Sequence, residues 1–269
     1  MELKTIIFSY NRPAQLDLLL RSMKRFTDFT DIYVSYMHEP SYREGYKRVI
    51  KENPDVRFEY RKKNLKYYVQ KALQSPLTVF LCDDEVFVAK VSQNDKQFKT
   101  FKKYDDILCL ALRMGRNVDY CMSNHNWIKV PPIDKNGVWN WKALVEYKRS
   151  SDGLHINYES DWGYPMSVAG HVFRTEDLKQ ILKPLKFDNP NQLEDGMCHF
   201  ISPRNLAVCY DSQRMVEAML EKEQIIELNK EFMQGKIIDL EYIVKQELHC
   251  PQQGSHLARQ ILFHLSSLS

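Results

Sequence analysis

The chain has 269 residues, of which 43% are hydrophobic and 27% are charged, enough to bury a sizeable core, which excludes a disordered tail or a disulfide-stapled miniprotein. Its 38 Lys and Arg residues nearly balance its 35 Asp and Glu residues, so overall charge gives no reason to expect a nucleic-acid partner. The six cysteines form no C-x-x-C pair, and we recognise neither a leader-like start nor an apolar run of membrane-spanning length, so we expect a reduced, cytoplasmic protein.

The first part of the chain alternates between short apolar strands and helical patterns. Strands are predicted at residues 5–9, 32–36, 56–60 and 77–82, and helices lie between them at residues 16–23, 42–51 and 65–73. This alternation predicts an α/β fold with a mainly parallel sheet covered by helices on both faces. Ligands of such folds bind at the carboxyl ends of the strands, where this sequence places its most polar segments.

The pattern changes after residue 97. One long helix is predicted over residues 98–115, then a short strand near residues 120–123, and residues 124–170 predict loops and short strands. Residues 212–249 predict two amphipathic helices separated at Gly235, and residues 255–268 predict a last one. We therefore expect one domain over residues 1–211, with halves at 1–97 and 98–211, and a helical C-terminal extension over residues 212–269.

Three carboxylates directly follow the predicted strand at residues 77–82. They are Asp83, Asp84 and Glu85, and apolar residues flank them on both sides. Their mutual repulsion is costly without a cation, and hard oxygen ligands suit Mn²⁺ or Mg²⁺, which commonly bridge to phosphate oxygens. A solvated acidic turn is the alternative interpretation.

The order of these motifs resembles the nucleotide-sugar half of the GT-A glycosyltransferases, especially the family 2-like enzymes. The motifs are the S-Y-N-R-P segment at residues 9–13, Asn64 before a predicted helix, and the acidic triplet. The resemblance covers roughly residues 3–90, and more loosely residues 160–200. It implies a GT-A-like fold and a nucleoside diphosphate sugar as donor, with UDP-sugars favoured. Two departures are Glu85, where the family usually has Asp, and Leu65, near where it commonly has a glycine.

The resemblance also implies which residues form the donor site. Asp83, Asp84 and Glu85 are expected to hold the divalent cation, and the donor is expected to contact Ser9, Tyr10, Arg12, Ser35, Arg61, Asp83 and Asp84. Arg61 belongs to a basic cluster over residues 57–66 that suits a diphosphate. An ordinary solvated connection between a strand and a helix is the competing explanation for that cluster.

A polar, aromatic segment at residues 155–165 leads into an apolar strand that contains Gly170. In the family 2-like enzymes a comparable segment lies below the donor sugar and next to the acceptor. The resemblance therefore implies that Trp162 and Tyr164 contact the acceptor, since an aromatic ring suits the C–H face of a sugar. Packing in the core is the competing explanation for both rings.

A second acidic pair, Glu194 and Asp195, resembles the Glu-Asp motif with which inverting GT-A enzymes supply their general base. The resemblance implies that Asp195, or as second choice Glu194, takes the proton from the acceptor hydroxyl. A structural role is also open, because Asn191 and Glu194 have the spacing of a helix capping box. No histidine is assigned to a metal, because no zinc-type spacing is present.

Taken together, the resemblance implies a metal-dependent, inverting glycosyltransferase acting on a glycan or lipid-linked glycan, as in polysaccharide biosynthesis. A non-catalytic nucleotide- or glycan-binding protein with the same fold is the alternative. A nucleotidyltransferase is less favoured, because no glycine-rich phosphate loop lies near the first strand.

The last predicted helix has one apolar face, formed by Leu257, Ile261, Leu265 and Leu268, which suits core packing, a second subunit or peripheral contact with a membrane.

Overall fold

The computed structural model describes residues 2–150, 153–246, 249–253 and 265–267 of the chain. Its first part alternates strands and helices, as the sequence predicts. In chain order these are β1 (Leu3–Tyr10), α1 (Pro13–Phe26), β2 (Asp31–Met37), α2 (Arg43–Glu52), β3 (Arg57–Tyr60), α3 (Leu65–Ala72), β4 (Leu77–Cys82) and β5 (Glu85–Phe87).

The following elements complete the central part of the fold. They are α4 (Lys96–Lys103), β6 (Ile107–Gly115), β7 (Tyr120–Cys121), β8 (Asn126–Trp127), β9 (Val138–Asn140), β10 (Val145–Ser150), β11 (Gly153–Tyr158), β12 (His171–Arg174), α5 (Thr175–Leu182), α6 (Pro190–Cys198) and β13 (Leu206–Tyr210). The last elements are β14 (Met215–Ala218), α7 (Lys222–Met233), β15 (Lys236–Ile238), α8 (Leu240–Val244), β16 (Gln252–Gln253) and β17 (Leu265–Ser267).

Local sequence explains where the first helices begin. Pro13 stands in the first turn of α1, where its fixed φ and missing N–H are well tolerated. Asn64 caps α3, because its side chain accepts a hydrogen bond from the backbone N–H of Tyr67 at 3.0 Å. Both loops lie at the carboxyl ends of strands, so these residues also fix the edge of the sheet at which ligands bind in such folds.

The central sheet has eight strands in the order β3-β2-β1-β4-β12-β6-β13-β9. β12 runs antiparallel to both β4 and β6, and β9 runs antiparallel to β13, while the other neighbouring pairs are parallel. One hydrophobic core includes side chains from α1, α2, α4 and α7, and the other includes side chains from α3, α5 and α6. The predicted α/β fold, a mainly parallel sheet flanked by helices, is confirmed.

A smaller sheet holds the segment that follows the acidic triplet. β14 pairs antiparallel with β5 and parallel with β16. Glu217 lies directly opposite Glu85 in this register. The backbone N–H of Ala218 donates to the carbonyl of Asp84 at 2.7 Å. A late segment of the chain is therefore fastened beside the acidic triplet.

Two helix predictions fail for different reasons. Residues 98–115 are not one helix, because α4 ends at Lys103 and the next apolar run forms β6. β6 is buried along its whole length, and a strand buried on both faces lacks the alternation that separates strands from helices in a sequence. In residues 212–249, α7 and α8 flank Gly235 as predicted, but the start of this region contains the strand β14.

The end of the chain also differs from the predicted helix at residues 255–268. Leu265–Ser267 form β17, which pairs antiparallel with β15, and the other residues of the predicted helix lie outside the described residues.

In the described part of the chain, no helix has the length and apolar character needed to cross a membrane. The boundary at residue 211 stays a prediction, although Leu228 and Phe232 of α7 share the core of α1 and α2.

Position 170, just before β12, requires glycine because of both its backbone conformation and the side chain packed against it. Its φ is +70°, and a Cβ there would lie 2.3 Å from Sδ of Met215. We expect Gly170→Ala to lower the free energy of unfolding by about 2 to 4 kcal/mol, from left-handed strain and from overpacking. Urea denaturation measures this loss.

Gly235→Ala is the matched control for this prediction. Its φ is +93°, and a Cβ there would meet nothing within 4 Å, so only strain of about 1 kcal/mol is expected. Equal losses in the two variants would contradict a cost from the contact with Met215.

Candidate functional site

The acidic triplet lies at the carboxyl end of β4 and is buried, with Asp83 4% and Asp84 8% exposed. Asp83 accepts hydrogen bonds from the backbone N–H of Tyr10 at 3.0 Å and from Nη1 of Arg12 at 3.3 Å. The same Nη1 donates to Asp84. One guanidinium group therefore bridges two carboxylates that are almost out of contact with water.

Burial controls the protonation of these acids. Loss of hydration raises the pKa of Asp83 to about 7, against the attraction of Arg12 and with added repulsion from Asp84. Burial also raises the pKa of Glu85 well above its ordinary value, and repulsion from Glu217 and Asp84 adds to this effect. The site therefore tends to retain protons that exposed carboxyl groups release.

Glu217 on β14 joins this cluster, and the sequence analysis did not single it out. Burial and then repulsion from Asp84 raise the pKa of Glu217 to about 7, while Arg113 lowers it. Its carboxylate also interacts electrostatically with Glu194 and Arg12. The available signal was a charged residue inside an otherwise apolar strand over residues 215–218.

Arg113, near the end of β6, is the second cation of the site and is buried. It donates to Asp161 Oδ1 at 2.8 Å from Nη2 and to Ser167 Oγ at 3.4 Å from Nη1. Burial opposes its charge, but Asp161 and further carboxylates, including Glu217 and Glu194, outweigh that effect and raise its pKa. Arg113 thus links the loop before β12 to the acids on β5, β14 and α6.

Glu194 on α6 is held by three hydrogen bonds. Its Oε1 accepts from Tyr164 Oη at 2.9 Å, and its Oε2 accepts from Ser167 Oγ at 3.2 Å and from the backbone N–H of Val168 at 2.8 Å. The cap of α6 is Asn189, whose side chain accepts from the backbone N–H of Gln192. The capping-box alternative for Asn191 and Glu194 is therefore wrong, and Glu194 faces the loop.

Two neighbouring cavities share Tyr158, Tyr164 and Glu194. The first has a volume of about 330 Å³ and is also lined by Arg113 and Asp161. The second has a volume of about 430 Å³ and is also lined by Asp195, His155 and His199. Asp195 is exposed, and within the described residues its carboxylate accepts no hydrogen bond. Glu194 is therefore a fixed acid between two cavities, whereas Asp195 is an open acid in one of them.

A third and larger cavity lies on the other side of Arg12. It has a volume of about 940 Å³ and is bounded by the loops after β1 and β2 and by α7. Tyr10, Arg12 and Glu39 line one wall, and Lys222 and Lys230 line the opposite wall together with apolar side chains of α7. Arg12 thus lines this cavity and also bonds to the acidic triplet.

The other predicted donor residues lie at different depths. Tyr10 is 50% exposed, and buried Ser9 has its hydroxyl 2.6 Å from that of Tyr46. Ser9 also interacts with Asp83 by a hydrogen bond that lowers the pKa of this acid. Ser35 is buried without a partner for its hydroxyl, and Arg61 donates to the carbonyl of Asp188 at 3.1 Å. Ser35 and Arg61 line none of the three cavities, so their contact with a donor stays a prediction.

Of the two aromatic residues predicted at the acceptor, only Tyr164 lies at the cavities. Trp162 is 1% exposed, its Nε1 donates to the carbonyl of Val118 at 3.0 Å, and its ring packs edge-on against Trp139. The prediction that Trp162 contacts an acceptor is wrong, because the ring has no face open to a ligand. The competing explanation, packing in the core, is confirmed for this residue.

The acids fit a divalent cation only in part. Asp84 Oδ1 is buried without a hydrogen-bond partner, and Asp83 lies beside it, but Glu85 accepts a hydrogen bond from the backbone N–H of Cys82. Over residues 2–150, 153–246, 249–253 and 265–267, no group of three or more His, Cys, Asp and Glu side chains is placed to hold a metal ion. The predicted three-carboxylate site is therefore not formed, whereas Asp83 and Asp84 suit a cation that shares its coordination with phosphate oxygens.

No family model matches the chain, and no curated protein matches it. Among solved structures, it is similar to TarS 1–349 of S. aureus, with a TM-score of 0.45 and 15% identity over 97% of this chain and 69% of that one. The complex of TarS 1–349 with UDP-GlcNAc gives 0.42 and 16%, over 97% and 70% of the two chains.

The mannosyltransferase PcManGT from Pyrobaculum calidifontis, in complex with GDP-Man and Mn²⁺, gives a TM-score of 0.43 and 11% identity, over 98% of this chain and 68% of that one. The chain's resemblance to glycosyltransferases is thus seen in its motifs and among its structural neighbours. All these TM-scores are below 0.5.

We expect Arg113→Met to lower the free energy of unfolding by about 3 to 5 kcal/mol, because it leaves buried carboxylates without their cation. The loss should be smaller at pH 5 than at pH 8, since Glu217, whose pKa is raised to about 7, is protonated and neutral at the lower pH. Urea denaturation of both proteins at the two pH values measures it.

Arg116→Met is the matched control, because the ion pair between Arg116 and Asp211 is exposed and should contribute less than about 1 kcal/mol. An equal loss in the two variants, or a larger loss for Arg113→Met at pH 5, would contradict the role given to Arg113.

Proposed function

We propose that the protein transfers a sugar from a nucleoside diphosphate sugar to an acceptor hydroxyl. The observation that carries the proposal is the arrangement of two acidic groups around two arginines: Asp83 and Asp84 with Arg12 at the end of β4, and Glu194, which precedes Asp195 on α6, with Arg113. The first group suits a diphosphate and its counter-ion, and the second suits the deprotonation of a hydroxyl.

The donor diphosphate is assigned to the neighbourhood of Arg12. Its guanidinium is a planar fork that matches phosphate oxygens, and it lies between the acids and the 940 Å³ cavity. Asp83 and Asp84 would hold a divalent cation, Mn²⁺ or Mg²⁺, which would stabilise the diphosphate as a leaving group. Arg12 would bind phosphate oxygens in place of its bonds to the carboxylates.

The nucleoside is assigned to the same large cavity. The exposed ring of Tyr10 offers a surface for stacking on a base, and Glu39 offers an acceptor for base or ribose hydrogen-bond donors. Ile226 and Met233 of α7 add apolar contact. Uridine is the base favoured by the sequence resemblance.

Asp195 is the general base of the proposed reaction. An acid that accepts a proton must have a free oxygen within reach of the acceptor hydroxyl. Asp195 meets this need in the 430 Å³ cavity, whereas both oxygens of Glu194 already accept hydrogen bonds. Glu194 instead positions Tyr164 and the loop that contains Ser167. Attack on the anomeric carbon opposite the diphosphate gives inversion of configuration.

Binding of the donor can be tested by thermal denaturation with UDP, GDP, CDP, dTDP and CMP, each with and without Mn²⁺. One diphosphate should raise Tm by about 5 °C or more at a concentration near 100 Kd, and Mn²⁺ should increase the shift. We expect Asp84→Asn to lose the Mn²⁺-dependent part of the shift.

Asp55→Asn, at a site where the side chain is 67% exposed, is the control and should keep the full shift. If none of the nucleotides changes Tm, the result would instead favour the alternative of a glycan-binding or structural protein.

The assignment of the base can be tested by release of nucleoside diphosphate from the stabilising donor in the presence of candidate acceptors. Asp195→Asn should lower kcat by about 100-fold or more while keeping the thermal shift with the donor. Glu194→Gln should have a smaller effect, because the amide oxygen can still accept from Val168. Equal kcat for Asp195→Asn and the unaltered protein would exclude Asp195 as the base, and NMR of the product anomer tests inversion.

A further inference from the structure

Glu217 is held in a fixed position between the two halves of the site. Its register partner is Glu85 on β5, and directly opposite residues of an antiparallel pair have their side chains on the same face. Its backbone N–H donates to the carbonyl of Pro251 at 2.8 Å, and the next residue, Ala218, donates to the carbonyl of Asp84. Hydrogen bonds on both sides of β14 therefore fix the backbone from which the Glu217 side chain extends, beside the acidic triplet.

The carboxylate of Glu217 interacts with groups at both ends of the proposed reaction path. Asp84 and Arg12 lie at the diphosphate end, and Arg113 and Glu194 lie at the acceptor end. The transferred sugar must lie between these ends, because its anomeric carbon is bonded to the diphosphate and is attacked by the acceptor. Glu217 is thus beside the space that the sugar ring has to occupy.

The acids around this space lack hydrogen-bond donors. Asp84 Oδ1 and Glu85 Oε1 are buried and without a partner, and in the described part of the chain no side-chain donor bonds to Glu217. Glu85 is 1% exposed, whereas Glu217 is only half-buried. Glu217 is therefore the most exposed of these three acids, and so the one most open to a ligand with several O–H donors.

We propose that Glu217 accepts hydrogen bonds from hydroxyl groups of the donor sugar and so determines which sugar is bound. This inference rests on the proposed function and adds a specificity-determining residue to it. A carboxylate that accepts bonds from hydroxyls rejects sugars that place those hydroxyls elsewhere, because its oxygens then lose water without gaining a donor.

The test is isothermal titration calorimetry of Glu217→Gln with the nucleoside diphosphate that stabilises the unaltered protein, and with a panel of its sugar esters, all with Mn²⁺. We expect the affinity for the bare diphosphate to stay within twofold. The affinity for the preferred sugar ester should fall about tenfold or more, as for loss of a hydrogen bond to a charged group. Discrimination between sugars that differ at one hydroxyl should shrink by a similar factor.

Two further variants test whether the effect is specific to Glu217 and to the position of its carboxylate. Glu223→Gln changes an exposed acid on α7 and should leave all affinities unchanged. Glu217→Asp keeps the charge but withdraws it by one methylene, so it should bind the diphosphate normally and change the order of preference among the sugars. Circular dichroism of each variant establishes that it is folded before titration.

An equal loss of affinity for the bare diphosphate and the sugar ester would overturn the inference, because Glu217 would then act on the cation or the diphosphate. Unchanged affinity and unchanged preference in both Glu217 variants would also overturn it while leaving the proposed function intact. Failure of the proposed function itself is separate, since the unaltered protein would then bind none of the nucleotides.

Discussion

Two arginines, half-buried Arg12 and buried Arg113, hold more carboxylates than they can neutralise. Removing an ion from water costs several kcal/mol even after relaxation, so burial of these acids must be offset by other interactions. The arginines neutralise part of the negative charge, and retained protons neutralise another part, as the raised pKa values of Asp83 and Glu217 indicate. The remainder of the charge imbalance is what a ligand carrying cations or O–H donors can relieve.

The topology explains how such an arrangement is reached. The loops that follow parallel strands lie at one edge of a sheet, so the residues after β1 and β4 are close together as a direct result of the topology. β12 enters antiparallel between β4 and β6 and brings the loop with Ser167 to the same edge. β14, from late in the chain, pairs with β5 and adds Glu217 to the acids at this edge.

The parts of this structure that could be predicted are those encoded by neighbouring residues. Pro13 and Asn64 mark helix starts by local stereochemistry, and Asp83 and Asp84 stand out because charges directly follow an apolar strand. The helix predicted across β6 failed because complete burial removes the period-two signal. Glu217 could not be placed, because its position beside Glu85 depends on a pairing of β14 with β5 that no local pattern contains.

The aromatic residues Trp162 and Tyr164 also show that the sequence does not reveal which side chains face a cavity. Trp162 and Tyr164 are two residues apart and equally suited by chemistry to a sugar, yet one is sealed in the core by Trp139 and the other lines two cavities. Composition could name the candidates but not choose between them. The choice is made by packing with residues distant in sequence, as it is for Glu194, whose three donors come from the loop before β12.

The dual position of Arg12 has a thermodynamic consequence for the proposed donor site. A cation that arrives alone finds the carboxylates already bonded to the guanidinium, and a diphosphate that arrives alone finds the guanidinium already bonded to the carboxylates. Each ligand releases the group that the other needs, so the two must raise each other's affinity by the same factor. Arg12 and the two carboxylates satisfy each other in this structure, and an exchange of partners would favour the two proposed ligands together over either one.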